Sequence, residues 1–70
     1  MLDYISNTVY TLRTKKGLTQ EELANKVGIT RQTVISIEKG NYTPSVLLAL
    51  KIASVFKVSV EEIFFISYGK

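Results

Sequence analysis

An all-α, single-domain fold is what this sequence predicts, and three observations predict it. Two capping boxes, Thr19-Gln20-Glu21-Glu22 and Ser59-Val60-Glu61-Glu62, mark helix starts, where a hydroxyl and a carboxylate satisfy amides that the first turn leaves free. Gly17, Gly28 and Gly40 close successive periodic segments, where a helix stop favours a residue free to take positive φ. Apolar positions recur three and four residues apart, and no alternating strand pattern competes with them.

Five helices follow in order. The first is expected from about Ser6 or Asn7 to Lys16, with Val9 and Leu12 inward and Gly17 as its stop. The second opens at Thr19, turns Leu23, Ala24 and Val27 inward and stops at Gly28. Thr30 caps the third, whose Val34 and Ile37 face the core until Gly40 ends it. Asn41-Tyr42-Thr43-Pro44 reads as a loop. Ser45 caps a long fourth helix to about Lys57, because the proline before the cap cannot extend it backwards. A short fifth helix follows the second capping box and ends in Phe64, Phe65 and Ile66. On the fourth helix Val46, Ala49, Leu50, Ala53 and Phe56 are expected to face the core. Leu48, Ile52 and Val55 form a further apolar stripe, and a helix apolar nearly all round must be buried on more than one side.

Composition excludes more than it assigns. Seventy residues make one domain, 1–70, which hides only ~60% of its unfolded surface and needs most of its apolar side chains in one core. An apolar content of 46% allows that and argues against disorder. With no cysteine and no histidine, disulfides, thiolate metal sites, cysteine nucleophiles and the commonest general base are absent. The carboxylates lie mostly at helix N-termini, so no catalytic constellation, metal site or cofactor is expected. The stretch MLDYISNTVY holds Asp3 and no basic residue, unlike a signal peptide. The longest apolar run, Val46 to Leu50, is far short of the ~20 residues of a membrane helix. A cytoplasmic protein without a membrane role is expected. The chain stops soon after the fifth helix, so no small-molecule effector domain is expected either.

The placement of charge says more than its total. Between residues 13 and 39, Arg13, Lys15, Lys16, Lys26, Arg31 and Lys39 face Glu21, Glu22 and Glu38, whereas the rest of the chain is balanced. All of the net +3 therefore lies in one segment, as a face for a polyanion requires. That segment contains two short helices separated by Gly28-Ile29, the unit of a helix-turn-helix over about residues 19–39, where glycine supplies the tight turn. With Ile29, Val34 and Ile37 wedged inward, the free face of the third helix is Arg31, Gln32, Ile35 and Ser36, with Thr33 and Lys39 at its margins. Arginine and glutamine at the start of such a helix suit base edges in the major groove: arginine pairs with guanine O6 and N7, glutamine with adenine N6 and N7.

The stretch from Thr11 to Phe64 resembles the Cro/CI repressor (XRE) family of helix-turn-helix regulators. Leu12-Arg13, Gly17-Leu18-Thr19-Gln20, Glu22-Leu23-Ala24 and Val27-Gly28-Ile29-Thr30 carry the likeness, followed by Ile37-Glu38-Lys39-Gly40, Pro44-Ser45, Lys51-Ile52-Ala53 and Val58-Ser59. The resemblance implies a five-helix, lambda-repressor-like domain that binds double-stranded operator DNA, usually as a dimer. It also implies roles by position. Gln20 would bond a phosphate and Gln32 read a base, with Arg31, Ile35 and Ser36 at the other base-facing positions. Thr30 would touch a phosphate or a thymine methyl, while Thr33, Lys39 and the loop residues Asn41, Tyr42 and Thr43 would hold the backbone. Arg13 and Glu38 would form a buried ion pair tying the first helix to the third.

The apolar surplus on the last two helices suggests a homodimer joined over about residues 47–68, through Leu48, Phe64, Phe65 and Ile66, with Tyr68 beside them. Two copies would read half-sites about one turn, ~34 Å, apart. The rival reading is a protein-interaction adaptor or antitoxin-like partner built on the same fold. The Arg31-Gln32 start of the third helix favours DNA over that rival.

Overall fold

The computed structural model describes residues 3–68; Met1, Leu2, Gly69 and Lys70 lie outside the described residues. The elements run β1 (Asp3–Asn7), α1 (Val9–Lys16), α2 (Gln20–Val27), α3 (Arg31–Glu38), α4 (Val46–Phe56), α5 (Val60–Ile63) and β2 (Phe64–Tyr68). Five helices are present among the described residues, but the fold is not all-α. β1 and β2 pair antiparallel, with Tyr4 opposite Ser67, Ile5 opposite Ile66 and Asn7 opposite Phe64. Both strands are rich in aromatic and β-branched residues, which suit a pleated surface. The alternation that would have announced them is missing because β2 is only half packed: Phe65 and Ile66 are both exposed, though they point to opposite faces.

The sheet shortens the outer helices. β1 takes Ser6 and Asn7, so α1 starts after Thr8, and α5 is a single turn because Phe64 turns to extended backbone at φ −118°. A two-stranded sheet is marginal alone; here it is anchored to its neighbours. Thr8 donates its amide to the Ile63 carbonyl at 2.9 Å and its hydroxyl to the Glu62 carbonyl at 3.0 Å. Asn7 accepts the Val9 amide on Oδ1 and donates Nδ2 to the Ile37 carbonyl at 2.9 Å, joining the sheet to the last turn of α3.

The remaining boundaries follow their caps. Thr19 accepts from the Glu22 amide at 3.0 Å and Glu22 accepts in return from the Thr19 amide at 2.8 Å. Thr30 accepts from the Thr33 amide and Ser45 from the Leu48 amide. Gly28 turns the chain at φ +77°, and the amides of Gly28 and Ile29 both reach the Ala24 carbonyl, so α3 departs within three residues of α2. α4 is closed by Lys57, a residue with a side chain held at φ +57°.

Each helix gives the core at least one side chain that is almost wholly enclosed: Val9, Leu23, Val34 and Ile37, Ile52, and Ile63. Burying each stabilises the fold by roughly 1.5–3 kcal/mol. The inward face of α4 differs from the sequence expectation. Leu48, Ala49, Ile52 and Ala53 are buried, whereas Val46, Leu47 and Leu50 are exposed by 77%, 64% and 54%. Lys51 and Ser54, three apart and exposed, mark the outer face of α4, and packing against α2 and α5 turns Leu48 and Ile52 inward. Leu48 thereby leaves the dimer surface assigned to it, since it belongs to the core.

Candidate nucleic-acid interface

α3 owes its fixed position to its buried stripe. Val34 and Ile37 are enclosed by the core, and this leaves Arg31 and Gln32 exposed at the helix start. Ile35 and Ser36, the other two expected base-facing residues, are half-buried. Thr30 is exposed and its hydroxyl pairs with that of half-buried Thr33 at 2.9 Å. At the other end Gly40 turns the chain, and the Asn41 amide returns to the Ser36 carbonyl at 2.9 Å. This holds the exposed residues Lys39, Asn41, Tyr42 and Thr43 beside the end of α3.

One polar network locks α3 to the first half of the chain. Arg13 Nε donates to Glu38 Oε2 at 2.6 Å and Nη2 donates to Oε1 at 3.3 Å, while Nη1 donates to the Leu18 carbonyl at 2.8 Å. The two side chains are only 9% and 6% exposed. The Tyr10 ring covers the guanidinium, its centre 5.2 Å away, one turn earlier on α1. Gln20, the first residue of α2, adds its Nε2 to Glu38 Oε1 at 3.2 Å. No enclosed side-chain nitrogen or oxygen among the described residues lacks a partner.

Gln20 and Arg31 both line an open notch of about 460 Å³ between the α1–α2 turn and the start of α3, shared with Arg13, Thr19 and Glu21. Two positively polarised helix starts and the cations Arg13 and Arg31, against the single carboxylate of Glu21, suit an anionic oxygen there. Lys39 lies apart, on a second notch with Tyr4 and Asn7. Among the described residues no group of His, Cys, Asp or Glu is placed to hold a metal ion.

A third feature is apolar. Ile5, Val46, Ala49, Leu50, Val60 and Phe64 line a groove of about 420 Å³, with Thr43, Pro44 and Glu61 at its rim. Ile66 pairs with Ile5 across the sheet, on the same face, and is 57% exposed. Phe65 is 42% exposed, Tyr68 is exposed and Phe64 is half-buried against the core. Ile5 and Val46 lie outside the 47–68 region expected from the sequence, and Leu50, inside it, was expected to face the core. The signal for Ile5 was weak, because a lone isoleucine between polar residues marks a strand only once its partner is known.

The helix-turn-helix family model matches residues 9–63, which takes in all five helices. The chain belongs to the XRE-type helix-turn-helix family. It is 50% identical over 62 residues to YgzD of Bacillus subtilis strain 168, an uncharacterized HTH-type transcriptional regulator, covering 89% of this chain and 94% of that one. It is 33% identical to the transcriptional repressor RstR of the cryptic phage CTXphi from Vibrio cholerae, covering 83% of this chain and 52% of the repressor. Among solved structures it is similar to the restriction-modification controller protein C.AhdI of Aeromonas hydrophila, with a TM-score of 0.72 and 37% identity over 77% of this chain and 82% of that one. Members of this family are DNA-binding transcriptional regulators, not enzymes. No helix among the described residues is long and apolar enough to cross a membrane.

Proposed function

We propose that this protein is a repressor that binds operator DNA sequence-specifically, with α3 in the major groove. One observation carries the reading: α3 is fixed on its inner face by Val34 and Ile37 and at its end by Arg13–Glu38, while Arg31 and Gln32 stand exposed at its start. A rigid helix with two side chains able to bond base edges in pairs is what direct readout requires. Arg31 and Gln32 read bases, and Ile35 and Ser36 present a shallower surface to them. Gln20, Thr30 and Thr33 hold one stretch of phosphates, and Lys39 with Asn41, Tyr42 and Thr43 holds the next. The likeness to a phage repressor supports repression over activation.

A single domain offers too few base contacts to find one operator among ~10⁶–10⁹ competing sites. The protein therefore acts as a homodimer, and the exposed set Ile5, Val46, Leu50, Phe65 and Ile66 around the apolar groove supports a two-fold contact there.

Base and backbone roles separate in binding titrations. Gln32→Ala should weaken operator binding by ~1–3 kcal/mol and relax preference at one or two positions of each half-site. Unchanged preference would remove Gln32 from the readout. Lys39→Ala should instead weaken binding to all duplexes alike and make the dependence of log K on log salt shallower by about one, as one fewer counterion is released. A change of sequence preference in that variant would overturn its backbone role.

A further inference from the structure

We infer that Glu38 is a positioning residue for DNA: its carboxylate orients the Gln20 amide that grips the phosphate backbone. The inference rests on the reading of Gln20 as a backbone contact. A carboxylate only accepts hydrogen bonds, so the nitrogen of the Gln20 amide, not its oxygen, must face Glu38 Oε1. A phosphate also only accepts. The amide nitrogen carries two hydrogens, and one of them, with Glu38 bound by the other, is left for a phosphate oxygen in the notch that Gln20 shares with Arg31. Rotated by half a turn, the same amide would set its oxygen against the carboxylate.

The ion pair completes the device. A bare carboxylate close to a phosphate site would repel the ligand. Arg13 neutralises it, bonding both oxygens, and is itself fixed by the Leu18 carbonyl at the turn into α2. Arg13, which also borders the notch, thus acts on the Gln20 amide through Glu38. The four groups connect α1, the α1–α2 turn, the start of α2 and the end of α3, so the backbone grip is assembled only when these elements are docked.

The test removes the carboxylate without stranding its partner. Arg13→Met with Glu38→Leu replaces the pair by apolar side chains, a change that buried ion pairs often tolerate. Glu38-held orientation predicts a roughly three- to tenfold loss of affinity for every duplex, the scale of one hydrogen bond, with base preference retained. It also predicts that adding Gln20→Ala to this double variant costs nothing further, although Gln20→Ala alone lowers affinity by a similar factor. An equal loss from Gln20→Ala in both backgrounds would overturn the inference.

A second readout needs neither variant nor DNA. In NMR of the unmutated protein, the Gln20 amide proton bound to Glu38 should lie outside the usual range of glutamine amides and exchange slowly with water, while the other proton resembles that of a free side chain. Two solvent-like signals would overturn the inference even if the double variant fails to fold. Should Gln20→Ala leave affinity unchanged while the unmutated protein shows the shifted, slowly exchanging proton, the phosphate contact fails and the orientation by Glu38 stands.

Discussion

Arg13→Ala should cost the domain about 3–5 kcal/mol of stability, a large part of the ~5–15 kcal/mol that holds a typical domain together. The loss comes less from the missing attraction than from what remains. Glu38, 6% exposed, would keep a charge in the interior with only Gln20 to solvate it. The Leu18 carbonyl would lose its donor at the α1–α2 turn, and the Tyr10 ring would lose the cation beneath it. Glu38→Ala should cost a similar amount, because a guanidinium left in the interior is no easier to accommodate. The double variant should be less damaged than the two losses added together. Thermal unfolding of all four proteins measures this, and additive losses would show that the two residues do not act as a pair.

Ile66→Glu should give a monomer that keeps its helical content but binds operator weakly and without cooperativity. Ile66 is 57% exposed and makes no part of the core, so a charge there spares the fold. In a two-fold contact the same residue meets the partner's copy of this surface, and two carboxylates brought together without water should separate the protomers. Each free domain then keeps its phosphate contacts and one half-site. Affinity should fall from the ~10⁻⁸–10⁻¹¹ M of specific regulators towards the ~10⁻⁴–10⁻⁶ M of non-specific binding. Leu50→Glu, on the groove wall of α4, should act in the same way. Sedimentation of the unmutated protein is the direct check: a monomer at high micromolar concentration, free and on a palindromic site, contradicts the dimer.

The helices were legible in the sequence wherever a local signal existed. Thr19 and Glu22, Thr30, Ser45 and Gly28 mark boundaries through bonds to residues within four positions, and the structure places those boundaries where the caps do. What escaped depends on partners far along the chain. β1 and β2 lie some sixty residues apart, and neither alternates, because neither has one fully buried face. The rotation of α4 is harder to read, because Val46, Leu47, Leu48 and Leu50 are all apolar and only Lys51 and Ser54 mark the outer face that Leu47 and Leu50 share. The Arg13–Glu38 pair, 25 residues apart, has no local signature and entered through family resemblance alone. The site divides likewise. Arg31 and Gln32 stand out by residue type on a short basic segment, whereas the link from Gln20 to Glu38 exists only in three dimensions.

The central claim, sequence readout by α3, is tested most directly by selecting duplexes from a random DNA pool with the purified protein and again with Gln32→Ala. A roughly palindromic motif whose half-site centres lie ~34 Å apart is expected, with preference lost at one or two positions of each half-site in the variant. Binding without any preferred base, or a motif that both Gln32→Ala and Arg31→Ala leave intact, would contradict it.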